Sequence, residues 1–219
     1  MPRIARGEIA GGIYHIINRG NMRMQVFPRS HVVRGNAYEG GMMKRTVALL
    51  VLSTVLVAAE PEVIHGHQLP PEPDPVINDS TLLGIDVNKN GVRDDVEIWI
   101  LNKYRDKHPI HIDIAMQGAR GFKLILEHAE KAKEIHYKAT AYIDCESYYS
   151  NYAKYFNEPL LVTEEVSTEY YRKKIYFNTE KRKTRYIEYD KLLSGDSYTL
   201  PKIENLKSLC DFNTSKYEE

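Results

Sequence analysis

The chain is poor in the features from which function is most readily read. Its 219 residues include two cysteines and one tryptophan. It carries no P-loop, no dinucleotide-binding glycine fingerprint and no nucleophile elbow. Nothing in it therefore argues for an enzyme. No apolar run reaches the roughly 20 residues of a membrane-spanning helix; the run within residues 42–59 holds about 14, so no stable membrane anchor is expected. Two histidines in helical segments, His128 and His136, stand two turns apart, about 12 Å, too far to share one ion. Formal net charge is zero, but this is a sum of unlike parts. Residues 1–41 carry 6 Arg against 2 Glu, residues 42–59 add Lys44 and Arg45, and the remaining 160 residues hold 22 basic against 28 acidic side chains. The basic leader would suit nucleic acid, whereas the mildly acidic remainder gives no reason to expect it.

Residues 86–97 read Asp-Val-Asn-Lys-Asn-Gly-Val-Arg-Asp-Asp-Val-Glu. Calcium takes 6–8 oxygen ligands, so a short loop must turn oxygens inward at alternate residues. Asp86, Asn88 and Asn90 offer side-chain oxygens at positions 1, 3 and 5. Gly91 permits the sharp turn at position 6, and Val92 offers a backbone carbonyl at position 7. Asp94 stands at position 9 and Glu97 closes the loop at position 12. The stretch matches the EF-hand loop pattern at every fixed position. Arg93 occupies position 8, where paired loops carry an aliphatic residue, and the pattern occurs once. The segment thus resembles a single, dockerin-like extracellular calcium loop followed by one helix. The resemblance implies a calcium ion held by Asp86, Asn88, Asn90, Val92, Asp94 and Glu97, and three formal charges imply weak affinity. A plain Asx turn running into an acidic helix start is the other reading.

Residues 42–59 have the form of a secretory signal peptide: Lys44-Arg45, then an apolar core from Thr46 to Val57, then small residues. Cleavage is expected before Glu60, with translation starting at Met42 or Met43 and the product periplasmic or secreted. Upstream, Pro2-Arg3, Gly12-Ile13-Tyr14-His15, Asn18-Arg19-Gly20-Asn21 and Val26-Phe27 resemble the opening of the REP-associated tyrosine transposases, HUH-type enzymes acting on single-stranded DNA. That resemblance covers residues 1–27 and stops at Pro28. The family's His-hydrophobic-His metal motif is not found, since His65-Gly66-His67 has glycine between its histidines and His108-Pro109-Ile110-His111 has the wrong spacing. Its helix carrying the nucleophilic tyrosine is not found either. Residues 1–41 are therefore expected to be an inactive remnant; a transposase-related DNA-binding protein is the alternative function.

For the rest, an extended Pro-rich leader over 60–80 and one all-α domain over 81–219 are expected. Apolar spacing predicts helices over Val92–Tyr104, from Ile110 to about Tyr137, along the stripe Tyr142–Phe156, and from Thr163 to about Phe177. A further helix is capped by Asn178-Thr179 and ends at Ser194-Gly195, and a short one covers Lys202–Asp211. A hairpin of 174–178 with 185–189 is the strand alternative. Gly118 and Gly121 either weaken their helix or mark a close helix–helix contact. Cys145 and Cys210 are expected to form a disulfide after export, buried free thiols being the alternative. Twelve of the 16 tyrosines lie between Tyr137 and Tyr198, read as core-edge residues in preference to a binding surface. The run Lys181-Arg182-Lys183-Thr184-Arg185 is read as a solvated helix face in preference to a phosphate site. These readings converge on an exported, calcium-binding helical protein of structural or binding role with an unknown protein or cell-envelope partner.

Overall fold

The computed structural model describes residues 61–217; the transposase-like segment and the signal peptide lie outside them. The described chain is mostly helical. Within the stretch expected to be an extended leader, it first makes a small antiparallel hairpin, β1 (Val63–Ile64) with β2 (His67–Gln68). Its two-residue turn, His65-Gly66, has positive φ at both positions, the handedness that matches strand twist. A short helix, α1 (Pro75–Ser80), follows. Asp74 caps it by accepting from the Val76 and Ile77 N–H groups, and Pro75 fits the first turn, where no N–H is needed.

Helix α2 (Asp94–Lys103) leaves the acidic loop with Asp94, Asp95 and Glu97 in its first turn, where negative charge complements the helix dipole. Helix α3 (Ile110–His128) is central and buried over most of its length. The single helix expected from Ile110 to about Tyr137 is broken: a 3₁₀ turn at Ala129–Lys131 reverses the chain into α4 (Ala132–Ser147). The two glycines explain how closely α3 and α4 pack. A Cβ on Gly121 would lie 2.2 Å from the Ala139 carbonyl oxygen, and one on Gly118 would lie 3.1 Å from Tyr142. They mark a helix–helix contact.

Beyond α4 the chain passes through a π-helical turn at Tyr148–Tyr152 and a 3₁₀ turn at Ala153–Phe156. The helix expected from Thr163 begins only near Glu169, with a π-helical turn at Tyr171–Tyr176. Tertiary contacts hold the preceding segment extended. Leu161 and Val162 donate their N–H groups to the Tyr149 carbonyl, and Val166 and Ser167 donate theirs to the buried Glu146 carboxylate at 2.6 and 2.9 Å. Helix α5 (Glu180–Leu193) starts on Thr179, whose Oγ1 accepts from the Arg182 N–H, and stops before Gly195 at φ 85°. No strand forms at 174–178 or 185–189. The final expected helix is a pair of 3₁₀ turns, Ile203–Asn205 and Lys207–Leu209.

The core is aromatic. Phe122 has the rings of Tyr142, Tyr171, Tyr176 and Phe177 within 5.6 Å, and Trp99 stacks on Tyr171. Of the clustered tyrosines, Tyr142, Tyr148, Tyr149, Tyr171, Tyr176 and Tyr189 are buried, whereas Tyr137, Tyr155 and Tyr170 are exposed. Cys145 and Cys210 are bonded, with Cα atoms 5.0 Å apart. Among the described residues no helix is long and apolar enough to cross a membrane.

Candidate functional site

Residues 86–97 form a tight loop whose ends meet: the Asp94 N–H donates to the Ile85 carbonyl at 2.8 Å. Gly91 has φ 87° and Lys89 has φ 56°, so glycine at position 91 meets a backbone requirement. The first three expected ligands turn toward one another. The Asn90 N–H donates to Asp86 Oδ1 and to Asn88 Oδ1, both at 3.1 Å. The Gly91 N–H donates to Asp86 Oδ2, also at 3.1 Å. The Val92 N–H donates to Asn90 Oδ1 at 2.8 Å, while the Val92 side chain is buried in the core.

Asp94 and Glu97 reach the same loop from the first turn of α2, and both are buried, at 0% and 1% exposure. Asp94 accepts the Val87 N–H on both carboxylate oxygens, at 3.1 and 3.2 Å. Glu97 Oε2 accepts from Asn88 Nδ2 at 3.1 Å. Burial pushes the Asp94 carboxyl up; the Val87 N–H pulls it down, and the like charges of Asp86 and Asp95 add to the rise. Burial likewise pushes Glu97 up against the amide of Asn88. Lys123 Nζ stands 3.5 Å from Asp86 Oδ2.

The six expected ligands thus lie on one loop, with side-chain oxygens from five of them and hard-oxygen chemistry throughout, which suits calcium and not a soft metal. Their side chains are engaged by N–H groups of the loop itself. Among the described residues no three His, Cys, Asp or Glu side chains are gathered as a metal-holding group, so the loop's three acids, Asp86, Asp94 and Glu97, are not drawn together at one point.

The residue at position 8 was the least expected part of the pattern. Arg93 is 2% exposed. It pairs with Asp95 and donates to the carbonyls of Ile175 and Tyr176, each at 3.2 Å. Its guanidinium lies over the Tyr176 ring, 5.2 Å from the centroid. A loop that pairs with a second loop uses an aliphatic residue there; this one is tied by Arg93 to the turn before α5. Asp95, at non-ligating position 10, therefore has a structural task of its own.

The basic run on α5 is a solvated face only in part: Lys181, Lys183 and Thr184 are exposed, whereas Arg182 is buried and Arg185 half-buried. Arg182 is fully buried and donates to the carbonyls of Asn78, Thr81 and Leu82 and to Asp79. Arg185 donates to the Leu126 and Glu127 carbonyls at the end of α3, and Lys181 to Ser80 at the end of α1. Three of the run's four basic residues thus cap other helices. Lys183 makes a surface pair with Glu180, and Arg185 pairs with Glu130 and Glu188.

Among the described residues the histidines form no common metal-holding group. His111 is buried, and the Thr163 N–H donates to its Nε2, so its Nδ1–H donates to the His108 carbonyl. His136 Nδ1 lies 2.7 Å from Tyr189 Oη. A cluster that sequence spacing does not disclose gathers at buried Asp113. His67 Nε2 lies 3.1 Å from Asp113 Oδ1, and Tyr217 Oη and Lys216 Nζ donate to Oδ2. Burial pushes this carboxyl up, but those three partners outweigh it and hold it down at about 2. Separations of 46 and 104 residues hide it from any local pattern.

Compared with protein-family models, with curated proteins and with solved structures, the chain matches none.

Proposed function

We propose that this is an exported calcium-binding helical protein in which one loop, residues 86–97, fixes the start of the helical domain, and that its role is structural or binding and not catalytic. The observation that carries this reading is the pair of buried carboxylates, Asp94 and Glu97, in the first turn of α2, each accepting an N–H from the 86–97 loop and neither paired with a Lys or Arg among the described residues. Two buried carboxylates are costly unless a cation meets them. A calcium ion supplies that charge and accepts oxygens from Asp86, Asn88, Asn90, Asp94, Glu97 and the Val92 carbonyl. The Cys145–Cys210 bond supports export, since disulfides persist in oxidising compartments. Arg93, by tying the loop to residues 175–178, explains how one loop serves without a paired second loop.

The test is a thermal melt with and without calcium. Calcium binds the folded chain alone, so stability rises by about 2.7 kcal/mol at a hundredfold excess over Kd. Glu97→Gln removes a buried charge: its calcium-free melting temperature equals or exceeds that of the wild type, and its calcium increment is lost. Asp95→Asn behaves oppositely, with a lower baseline because Arg93 loses its partner and an intact increment. Equal increments in the wild type and Glu97→Gln refute the reading.

A further inference from the structure

Helix α3 sets two cations against the 86–97 loop. Arg120 and Lys123 stand three residues apart, on one face of the helix. Arg120 passes beside Gly91: a Cβ on that glycine would lie 3.2 Å from the Arg120 Cγ. Its guanidinium is turned to Asp211, where Nε donates to one carboxylate oxygen at 2.8 Å and Nη2 to the other at 2.5 Å. Lys123 is turned to the loop, with Nζ 3.5 Å from Asp86 Oδ2. Both members of that pair are half-buried, at 32% and 18% side-chain exposure. Since α3 is buried over most of its length, the lysine is carried by the helical core and not by the loop it faces.

The pairing is selective. Asp94 and Glu97 accept N–H groups and have no Lys or Arg partner among the described residues. Asp86 accepts the Asn90 and Gly91 N–H groups, and of the three acids it is the one with an ammonium beside it. The charge of Asp86 is also felt at Asp94, whose carboxyl it helps to push up. A cation on Asp86 therefore offsets repulsion across the loop and not at one carboxylate alone.

We infer that Lys123 is a tethered counter-ion of the loop: its ammonium balances Asp86 in the calcium-free chain and sets the calcium concentration at which the loop fills. This rests on the calcium reading of residues 86–97. The lysine acts in two directions. Without calcium it lessens repulsion among the acids and supports the loop. Toward calcium it is an opponent, because the ammonium either stays and repels the ion or moves into water and gives up its pair. Affinity in calcium loops follows the charge that the site presents. One unit charge a few ångströms from a divalent ion changes affinity about tenfold in a surface setting. A lysine with a purely structural task would support the loop in both states.

The full chain is tested by calorimetric calcium titration and by thermal melts in EDTA. Lys123→Gln is expected to bind calcium about tenfold more tightly than the wild type, while its calcium-free melting temperature falls by about 2 °C. Lys123→Arg keeps the charge and is expected to hold the affinity within about twofold. Lys154→Gln removes the same charge from a lysine whose ammonium lies over Tyr155, and it also leaves the affinity within about twofold. In the wild type the ¹³Cε signal of Lys123 shifts on calcium addition and that of Lys154 does not, a check that needs no substitution. Unchanged or weaker affinity in Lys123→Gln overturns the inference and leaves the calcium reading standing. Equal tightening in Lys123→Gln and Lys154→Gln overturns it too, since net charge alone would then account for the effect, and so does a stationary Lys123 signal in calcium-loaded protein. If neither the wild type nor any variant takes up calcium, the reading of the loop falls and this inference falls with it.

Discussion

Arg182 shows what a single residue does here that its neighbours in sequence do not. It is flanked by Lys181 and Lys183, yet it is the largest side chain with no exposure. Burial and the nearby Arg93 charge lower its proton affinity, while Asp79 restores part of it. It remains charged because an arginine titrates far above neutrality. Its five donors are spread over three carbonyls at the end of α1 and over Asp79 and Asn178. Planar, fixed donors suit such a task better than a lysine ammonium does. Replacing it by methionine keeps much of the volume but strips three carbonyls and Asp79 of their partner. Arg182→Met is therefore expected to cost about 3 kcal/mol, seen as a lower urea midpoint. Lys183→Ala, one position on and exposed, is expected to stay within about 0.5 kcal/mol. A basic run in sequence does not disclose which member points inward; only the three-dimensional partner, 100 residues upstream at Leu82, does.

At the scale of elements, helix ends were far more legible than helix breaks. Asn178-Thr179 and Ser194-Gly195 bound α5 as their capping chemistry predicts. The loop at 86–97 and the start of α2 follow equally local rules, which is why the candidate site could be outlined residue by residue. The turn between α3 and α4 could not, because Ala129, Glu130 and Lys131 are all good helix formers. What reverses the chain there is packing: α3 needs α4 lying against it, and Gly121 is the position that admits it. The expected helix start at Thr163 fails, and 163–168 stays extended, for a related reason. Its Thr-Glu-Glu opening suits a helix start, but the carboxylate of Glu146 and the carbonyl of Tyr149 take its N–H groups first. Gly121→Ala tests the packing account. An alanine in a helix interior is worth about 1 kcal/mol over glycine, so local propensity predicts stabilisation. A Cβ 2.2 Å from a backbone carbonyl predicts the reverse. We expect a net loss of about 2 kcal/mol as the helices are forced apart. Gly118→Ala faces the Tyr142 ring at 3.1 Å, where the side chain gives way, and should change stability by less than about 1 kcal/mol. Thermal denaturation of the two variants side by side decides the matter.

For the whole molecule, the ordering of the C-terminal segment is the distinctive event. Residues 206–217 have little regular structure of their own, yet they close the domain. Cys210 is bonded to Cys145 of α4, and Leu209 and Asp211 engage Gln117 and Arg120 of α3. Lys216 and Tyr217 engage Asp113, which also holds His67 of the N-terminal hairpin. Covalent and ionic fastenings thus stand at different points of one segment. The bridge restricts an unfolded loop spanning 65 residues of separation, worth about 4 kcal/mol in the chain-entropy model. Asp113 acts with a definite sign. Its carboxyl falls from the ordinary 3.8 to about 2 on folding, so its contribution is present above pH 4 and is lost as the pH falls toward 2. A depression of that size corresponds to about 2 kcal/mol. Asp113→Asn should therefore be less stable than the wild type at neutral pH and should differ little from it near pH 2. The two fastenings should also couple, since each alone still tethers the segment. Reduction at neutral pH lowers the melting temperature but leaves the amides of 206–217 protected from hydrogen exchange. Asp113→Asn with the bridge intact does the same. Reduction of Asp113→Asn releases both points, and those amides then exchange through local opening, well before global unfolding. Loss of protection on reduction alone would show that the bridge holds the segment unaided, and that Asp113 serves only the hairpin.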